Sequence, residues 1–168
     1  KTIPQGDVYR EILYRYFVAS PTMMVRRTVM ESLGGYDETL SYEDFDFWVR
    51  SARNFKYAFL NEKLTKIRKS KRSMSSRWYV QGDRQLHSTY LVCRKAREMS
   101  RSEDDMIALS KRLKYELRQA VFSSNHQEAI HFYDLLGEIG HRGSMDEFFY
   151  KLNKLRLPLA PLRTLYHY

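Results

Sequence analysis

The sequence predicts an α+β protein that is mostly α-helical, with a few short strands confined to its first part. Short apolar runs at residues 22–25, 56–60 and 64–68, each bounded by turn-forming residues, predict the strands. After residue 76 the strand signals end, and apolar residues recur at helical spacing behind capping residues. We therefore expect two parts, residues 1–76 and a helical extension over residues 77–168 that forms a bundle.

The second part contains four segments with helical patterns. One long helix is expected over residues 77–99, with Gly82 as its weak point, because glycine disfavours a helix interior. Three further helices are expected over residues 106–122, 126–139 and 144–155. Their predicted capping pairs are Ser102 with Asp105, Asn125 with Glu128, and Ser144 with Glu147. The short links between these helices predict antiparallel neighbours.

The first part is organised around the stretch GGYDETLSYEDFDFWVR, which runs from Gly34 to Arg50. Short helices are expected before it over residues 7–17 and 28–33, and the two glycines are expected to end the second of them. A further helix is expected from about residue 42 to residue 54. Its apolar face would be formed by Phe45, Trp48, Val49 and Ala52.

The acidic residues of this stretch allow more than one interpretation. Ser41 is a candidate N-cap, and Asp44 stands three residues later, in the capping-box position. Asp46 and Arg50 are four residues apart, so they can pair on the surface of the helix. Carboxylates in a first helical turn are also favoured by the helix dipole, and one there could accept a proton from a substrate.

The stretch resembles the acceptor-side motif of family 2 glycosyltransferases, which have the GT-A fold. The residues that carry the resemblance are Gly34, Gly35, Asp37, Glu43, Asp44, Trp48 and Arg50. The resemblance covers about residues 7–75. It implies the acceptor half of a partial GT-A domain in an enzyme that transfers a sugar, with inversion, from a nucleotide sugar to a glycan or glycolipid. The resemblance further implies a role in the synthesis of cell-envelope polysaccharides.

The resemblance also implies roles for individual residues. Asp44 would be the catalytic base that deprotonates the acceptor hydroxyl. The acceptor would be bound by Glu43, Gly35, Asp37 and Thr22, and the site would be supported by Asp46, Trp48 and Arg50. Ser20 and Pro21, which precede Thr22, could also line the acceptor site, or they could form a plain turn. Two alternatives stay open. Asp44 could be no more than a cap of its helix, and Asp46 could serve only to pair with Arg50.

A basic segment follows the second predicted strand of this region. Where family members have a histidine that can complete a metal site, this chain has Ser70. No metal is therefore predicted in this chain, although Mg²⁺ or Mn²⁺ is expected in the full-length enzyme. Arg68, Lys69 and Arg72 could contact the donor diphosphate, or they could form a solvated basic loop. Because the nucleotide-binding half is not recognisable here, this chain alone is expected to be inactive.

The formal net charge of +9 favours anionic partners. Nucleic acid is an unlikely partner, because the basic residues do not form a recognisable binding module. A single cysteine and the lack of a signal peptide predict a cytoplasmic location. Leucines alternate with cations in the tail, residues 154–168, which predicts peripheral contact with the inner face of a membrane. The rival hypothesis is a non-enzymatic helical module that binds a protein through residues 77–168.

Overall fold

The computed structural model describes residues 3–15, 17–68 and 79–161. Seven α-helices lie within these residues, and a short 3₁₀ helix spans Ser20–Thr22. The helices are α1 (Tyr9–Arg15), α2 (Arg27–Ser32), α3 (Glu43–Asn54), α4 (Arg84–Met99), α5 (Glu103–Phe122), α6 (His126–Glu138) and α7 (Ser144–Lys154). Within the described ranges, backbone pairing of the β type is limited to one antiparallel bridge, between Gly6 and Tyr57.

The predicted α+β class, with a partial GT-A half containing short strands, is wrong. Residues 22–25 leave the 3₁₀ helix without joining a sheet, and residues 64–68 have no regular structure. In residues 56–60 only Tyr57 pairs, through two hydrogen bonds of 2.7 and 2.9 Å with Gly6. A strand requires a neighbouring backbone to satisfy its N–H and C=O groups, and an apolar run cannot supply that neighbour.

The helices of the first part lie where the periodicity placed them, but the start of α3 differs from the prediction. The residue before α3 is Tyr42, which makes no capping hydrogen bond through its side chain. Ser41, the predicted N-cap, instead donates its backbone N–H to Ser88 Oγ of α4 at 2.7 Å. The capping box of Ser41 and Asp44 is therefore wrong, because Ser41 is engaged by another helix.

The long helix predicted over residues 77–99 is shorter than expected. Gly82 adopts a positive φ of 78°, a conformation in which glycine is favoured and which cannot continue an α-helix. Asp83 then caps α4 by accepting a hydrogen bond of 2.8 Å from the backbone N–H of Gln85. The helix therefore begins just after Gly82, the residue predicted to be its weak point.

The later helices lie close to their predicted ranges, but only one of the three predicted caps forms. Asn125 precedes α6 and makes no capping hydrogen bond through its side chain, so its predicted pairing with Glu128 is wrong. Ser102 caps α5 by accepting from the backbone N–H of Asp105 at 3.3 Å. Gly140, with a φ of 72°, closes the end of α6 as expected. The predicted pair of Ser144 and Glu147 does not cap α7. The helix begins at Ser144 itself, and Asp146 accepts instead from the backbone N–H of Gly143 at 2.8 Å.

Helices of both predicted parts contribute to one hydrophobic core. Helix α1 packs against α3 and α5, α3 packs against α4, and α5 also contacts α6 and α7. The largest fully buried side chains come from α1, α3, α4, α5 and α6: Tyr9, Ile12, Leu13, Phe45, Phe47, Trp48, Leu86, Leu109, Leu113, Leu117, Phe132 and Leu135. The predicted boundary at residue 76 lies outside the described residues, so the division into two parts stays a prediction.

A buried carboxylate joins three helices across this core. Asp105, at the start of α5, accepts from Arg10 of α1 at 2.9 Å and from Arg53 of α3 at 2.7 Å. Burial acts to raise the pKa of Asp105, but the hydrogen bonds from the backbone of Arg101 and from these two guanidinium groups outweigh it, so the pKa is lowered. The network fixes α3 against α1 and α5 and thereby sets the position of the candidate site.

Only part of the tail lies within the described residues, because residues 162–168 fall outside them. Leu159 is buried, whereas Leu155 and Leu157 are 64% and 46% exposed. The predicted membrane contact of the tail stays a prediction. None of the described helices combines the length and the apolar character needed to span a membrane.

Candidate functional site

The candidate site begins with a glycine turn that ends α2. Gly34 and Gly35 adopt positive φ angles of 69° and 73°, which explains why both positions are glycine. The backbone N–H of Gly35 returns to the carbonyl of Met30 at 2.9 Å and closes the helix. The chain then passes through residues 36–42, here called the acidic loop, and enters α3.

Arg50 holds the glycine turn against α3. Its Nε donates to Asp46 Oδ2 at 2.7 Å, as the spacing of four residues predicts. Its two terminal nitrogens donate to the carbonyls of Leu33 and Gly35 at 2.7 and 2.8 Å. One guanidinium therefore connects the end of α2 with the middle of α3, and Asp46 neutralises its charge.

Lys95 of α4 connects the acidic loop to the same carboxylate. Its ammonium group lies 2.8 Å from Asp37 Oδ2 and 2.8 Å from Asp46 Oδ1. Asp46 is only 1% exposed, and both of its oxygens are occupied by cations. Nothing in the sequence singles out Lys95, because it lies 49 residues after Asp46 in a helix assigned to the other part of the chain.

The contacts of Asp37 predict that the stability of the folded state depends on pH. Hydrogen bonds from Lys95 and Thr39 lower the pKa of Asp37 from 3.8 to about 2. The folded state therefore favours the charged form, and this contribution is complete above about pH 4 and disappears as the pH falls through about 2. We expect Asp37→Asn to lower the free energy of unfolding at pH 7 and to have little effect near pH 2.

Urea unfolding of both proteins across this pH range measures the effect. Glu38→Gln is the matched control, because Glu38 is the adjacent acid and makes no ion pair within the described residues. A difference between Asp37→Asn and the parent protein that did not vary with pH would show that the Lys95 contact does not govern the titration.

Asp44, the predicted base, lies in a different environment from Asp46. It is half-buried in the first turn of α3 and accepts a hydrogen bond from Ser20 Oγ of the 3₁₀ helix. No cation pairs with Asp44 within the part of the chain that the structure describes. Because Ser41 does not cap the helix, a capping role does not explain why residue 44 is an aspartate. Its carboxylate faces the 3₁₀ helix instead.

Tyr36 belongs to the same side of the site. Its pKa is raised by burial and by the negative charges of Asp44 and Glu43. The ring packs against Phe47 with a centroid distance of 5.0 Å, while 41% of the residue remains exposed. The phenol therefore stands within electrostatic range of both acids and is accessible to a ligand, a position that no local pattern in the sequence indicates.

The remaining predicted residues are distributed around Asp44. Glu43 is half-buried beside it in α3, and Trp48 is buried in the core with 1% exposure. Thr22 is exposed in the 3₁₀ helix, and its hydroxyl donates to the carbonyl of Ala19 at 2.6 Å. The structure thus brings Thr22, Glu43 and Asp44 to one region, while Asp37 joins Asp46 through Lys95.

The predicted diphosphate-binding residues are not assembled into this site. Arg68 is exposed and makes no hydrogen bond or ion pair with the other described residues. Lys69 and Arg72 lie outside the described ranges. Among the residues that the structure describes, no three His, Cys, Asp or Glu side chains are grouped so that they could hold a metal ion. The diphosphate contacts, and the metal expected in a full-length enzyme, stay predictions.

Comparison of the chain with known protein families, curated proteins and solved structures gives no match.

Proposed function

We propose that this chain supplies the acceptor side of an inverting glycosyltransferase, with Asp44 as the general base. The proposal starts from the resemblance of residues 34–50 to the family 2 motif. Its strongest structural support is the different environment of the two neighbouring carboxylates. Asp46 is buried between Arg50 and Lys95, so it has a structural role. Asp44 is half-buried, is oriented by a neutral hydroxyl, and has no cationic partner within the described residues.

These environments suit the chemistry of sugar transfer. A general base must accept a proton while a substrate hydroxyl lies within hydrogen-bonding distance. A carboxylate whose two oxygens are both bound by cations is not free to receive a substrate hydroxyl, whereas one that accepts from a serine keeps lone pairs for a second donor. In this proposal Asp44 takes the proton of an acceptor hydroxyl, and the oxygen attacks the anomeric carbon as the nucleoside diphosphate leaves.

The other residues of this region would position the acceptor. Glu43 adjoins Asp44 in α3, and Thr22 belongs to the 3₁₀ helix whose Ser20 binds Asp44. The exposed ring of Tyr36 offers a surface on which a sugar can pack. Asp37 would contribute by fixing the conformation of the acidic loop, because its ion pair with Lys95 holds the loop against α4. The nucleotide sugar, and any divalent metal, would be bound mainly outside the described residues.

A transfer assay on the full-length protein tests this proposal. We expect release of a nucleoside diphosphate from one of a panel of nucleotide sugars, and the release should depend on an added glycan or glycolipid acceptor. Proton NMR of the product should show an anomeric configuration opposite to that of the donor. Retention of configuration, or the absence of acceptor-dependent release across the panel, would contradict the proposed reaction.

The rival proposal of a helical interaction module has its own support in α7. Met145 and Phe148 of that helix are both 54% exposed, although the opposite face of α7 packs into the core. Exposed apolar residues on one helix face are typical of protein-binding surfaces. The two proposals differ in the transfer assay, because an interaction module requires no nucleotide sugar and transfers no sugar.

A further inference from the structure

A second surface of this chain exposes apolar side chains that the proposed transfer does not use. Leu60, Leu64 and Ile67 are 61%, 69% and 54% exposed, and Met24 is 96% exposed. Residues 58–68 are exposed throughout and contain no helix or strand. Large apolar side chains that are exposed in succession typically mark an interaction surface.

The two segments that carry these side chains meet at Thr65. Its Oγ1 donates to the carbonyl of Pro21 at 3.4 Å, which places this residue next to the 3₁₀ helix. Met24 follows Pro21 by three residues, and Leu64 and Ile67 flank Thr65 in the sequence. We refer to residues 21–27 and 60–68 together as the basic apolar patch.

The charges of this patch are almost all positive. Its exposed cations are Arg26, Arg27, Lys63, Lys66 and Arg68, and its acidic residue is Glu62. The sequence that follows the patch, from residue 69 to residue 72, adds three more cations. An apolar surface surrounded by cations is complementary to an anionic bilayer, whose headgroups attract the cations while its interior accepts the apolar side chains.

We infer that the basic apolar patch docks the chain on an anionic lipid surface. The phosphates of a nucleic acid could pair with the cations but would leave Leu60, Leu64 and Ile67 in water. A bilayer can interact with both the cations and the apolar side chains of the patch. The patch also adjoins the proposed base, because Ser20, which binds Asp44, directly precedes Pro21. Docking through the patch would place Asp44 close to the lipid headgroups, and a lipid-linked sugar is then the expected class of acceptor. This last step rests on the proposed function, whereas the docking does not.

Vesicle co-sedimentation tests the docking. The chain should pellet with vesicles that contain phosphatidylserine and should stay in solution with vesicles of pure phosphatidylcholine. Leu64→Ser combined with Ile67→Ser should weaken binding about tenfold or more, since each side chain loses apolar burial in the bilayer. Lys63→Glu with Lys66→Glu should weaken it at least as much. Raising the salt to 1 M should also release the protein, because the Debye length falls to about 3 Å.

The tail offers a matched control within the same chain. Leu155 and Leu157 have similar exposure to Leu64 and Ile67 and also stand beside cations, Lys154 and Arg156. If the patch and not the tail carries the docking, Leu155→Ser with Leu157→Ser should leave vesicle binding unchanged, a result that would count against the predicted membrane contact of the tail. Circular dichroism should show that every variant is folded. Pelleting that is lost in the tail variant but kept in the patch variant would overturn the inference, as would equal binding to neutral vesicles or no pelleting of the parent chain. None of these results depends on sugar transfer, so the docking can fail or hold independently of the proposed reaction.

Discussion

Replacing Asp44 by asparagine is expected to lower the turnover of sugar transfer about 100- to 10,000-fold, the usual range for loss of a general base. Asparagine has nearly the same shape, and its amide oxygen can still accept the hydrogen bond from Ser20. It cannot take the proton of an acceptor hydroxyl. The fold and the binding of the nucleotide sugar should therefore be preserved while the chemical step becomes slow. Turnover of the full-length protein with saturating substrates measures this effect.

Asp46→Asn is the matched control, because it makes the same chemical change two residues away. It removes the negative charge between Arg50 and Lys95, so it should lower the free energy of unfolding more than Asp44→Asn does. Its effect on turnover should be smaller, since Asp46 is buried and does not face a substrate. Near-normal transfer by Asp44→Asn together with loss of transfer by Asp46→Asn would show that the base has been assigned to the wrong carboxylate.

The parts of this site that were predictable from the sequence depend on contacts within one helix or one turn. The spacing of Phe45, Trp48 and Val49 predicts the buried face of α3, and all three are buried. The pairing of Asp46 with Arg50 follows from a separation of four residues in a helix. Such features are local, so the sequence contains both partners of each contact and the geometry that joins them.

The features that could not be predicted join residues far apart in the chain. Lys95 reaches Asp46 across 49 residues. The resemblance placed Ser20 near the acceptor site, but it did not indicate the hydrogen bond to Asp44 across 24 residues. The hydrogen bond from the backbone N–H of Ser41 to Ser88 is also long-range, and it forms where local rules predicted a capping box. These contacts depend on how α4 and the 3₁₀ helix pack on α3, and packing of this kind has no short-range signal.

The failure of the predicted strands has a related cause. Residues 56–60 and 64–68 have the composition of short strands, but a strand also depends on the backbone of another segment. Only Gly6 provides such a backbone in the described structure, and it pairs with a single residue, Tyr57. Tyr57 is half-buried against the core, whereas Leu60, Leu64 and Ile67 are exposed and belong to the basic apolar patch.

The buried ion pair of α5 leads to the largest expected change in stability. Arg112 and Glu116 are 6% and 1% exposed, and Arg112 Nε lies 2.9 Å from Glu116 Oε1. The guanidinium also lies 4.5 Å from the ring centroid of Phe45, so the pair is packed directly beneath α3. Tyr79 is affected by the same buried charge, because burial and the negative charge of Glu116 raise the pKa of its phenol. Both charges are therefore removed from water, and the carboxylate of Glu116 neutralises the guanidinium of Arg112.

Glu116→Leu is expected to lower the free energy of unfolding by about 3–5 kcal/mol, because it leaves the guanidinium of Arg112 buried without its carboxylate. The double variant Arg112→Met with Glu116→Leu should recover most of this loss, since apolar side chains of similar volume can replace a buried pair at little cost. Urea unfolding at neutral pH measures both. The exposed pair of Arg97 and Glu138, with side chains 43% and 51% exposed, is the control, and removing it should cost at most about 1 kcal/mol. If Glu116→Leu were no more destabilising than the loss of that surface pair, or if the double variant were as unstable as the single one, burial of an uncompensated charge could not be the cause.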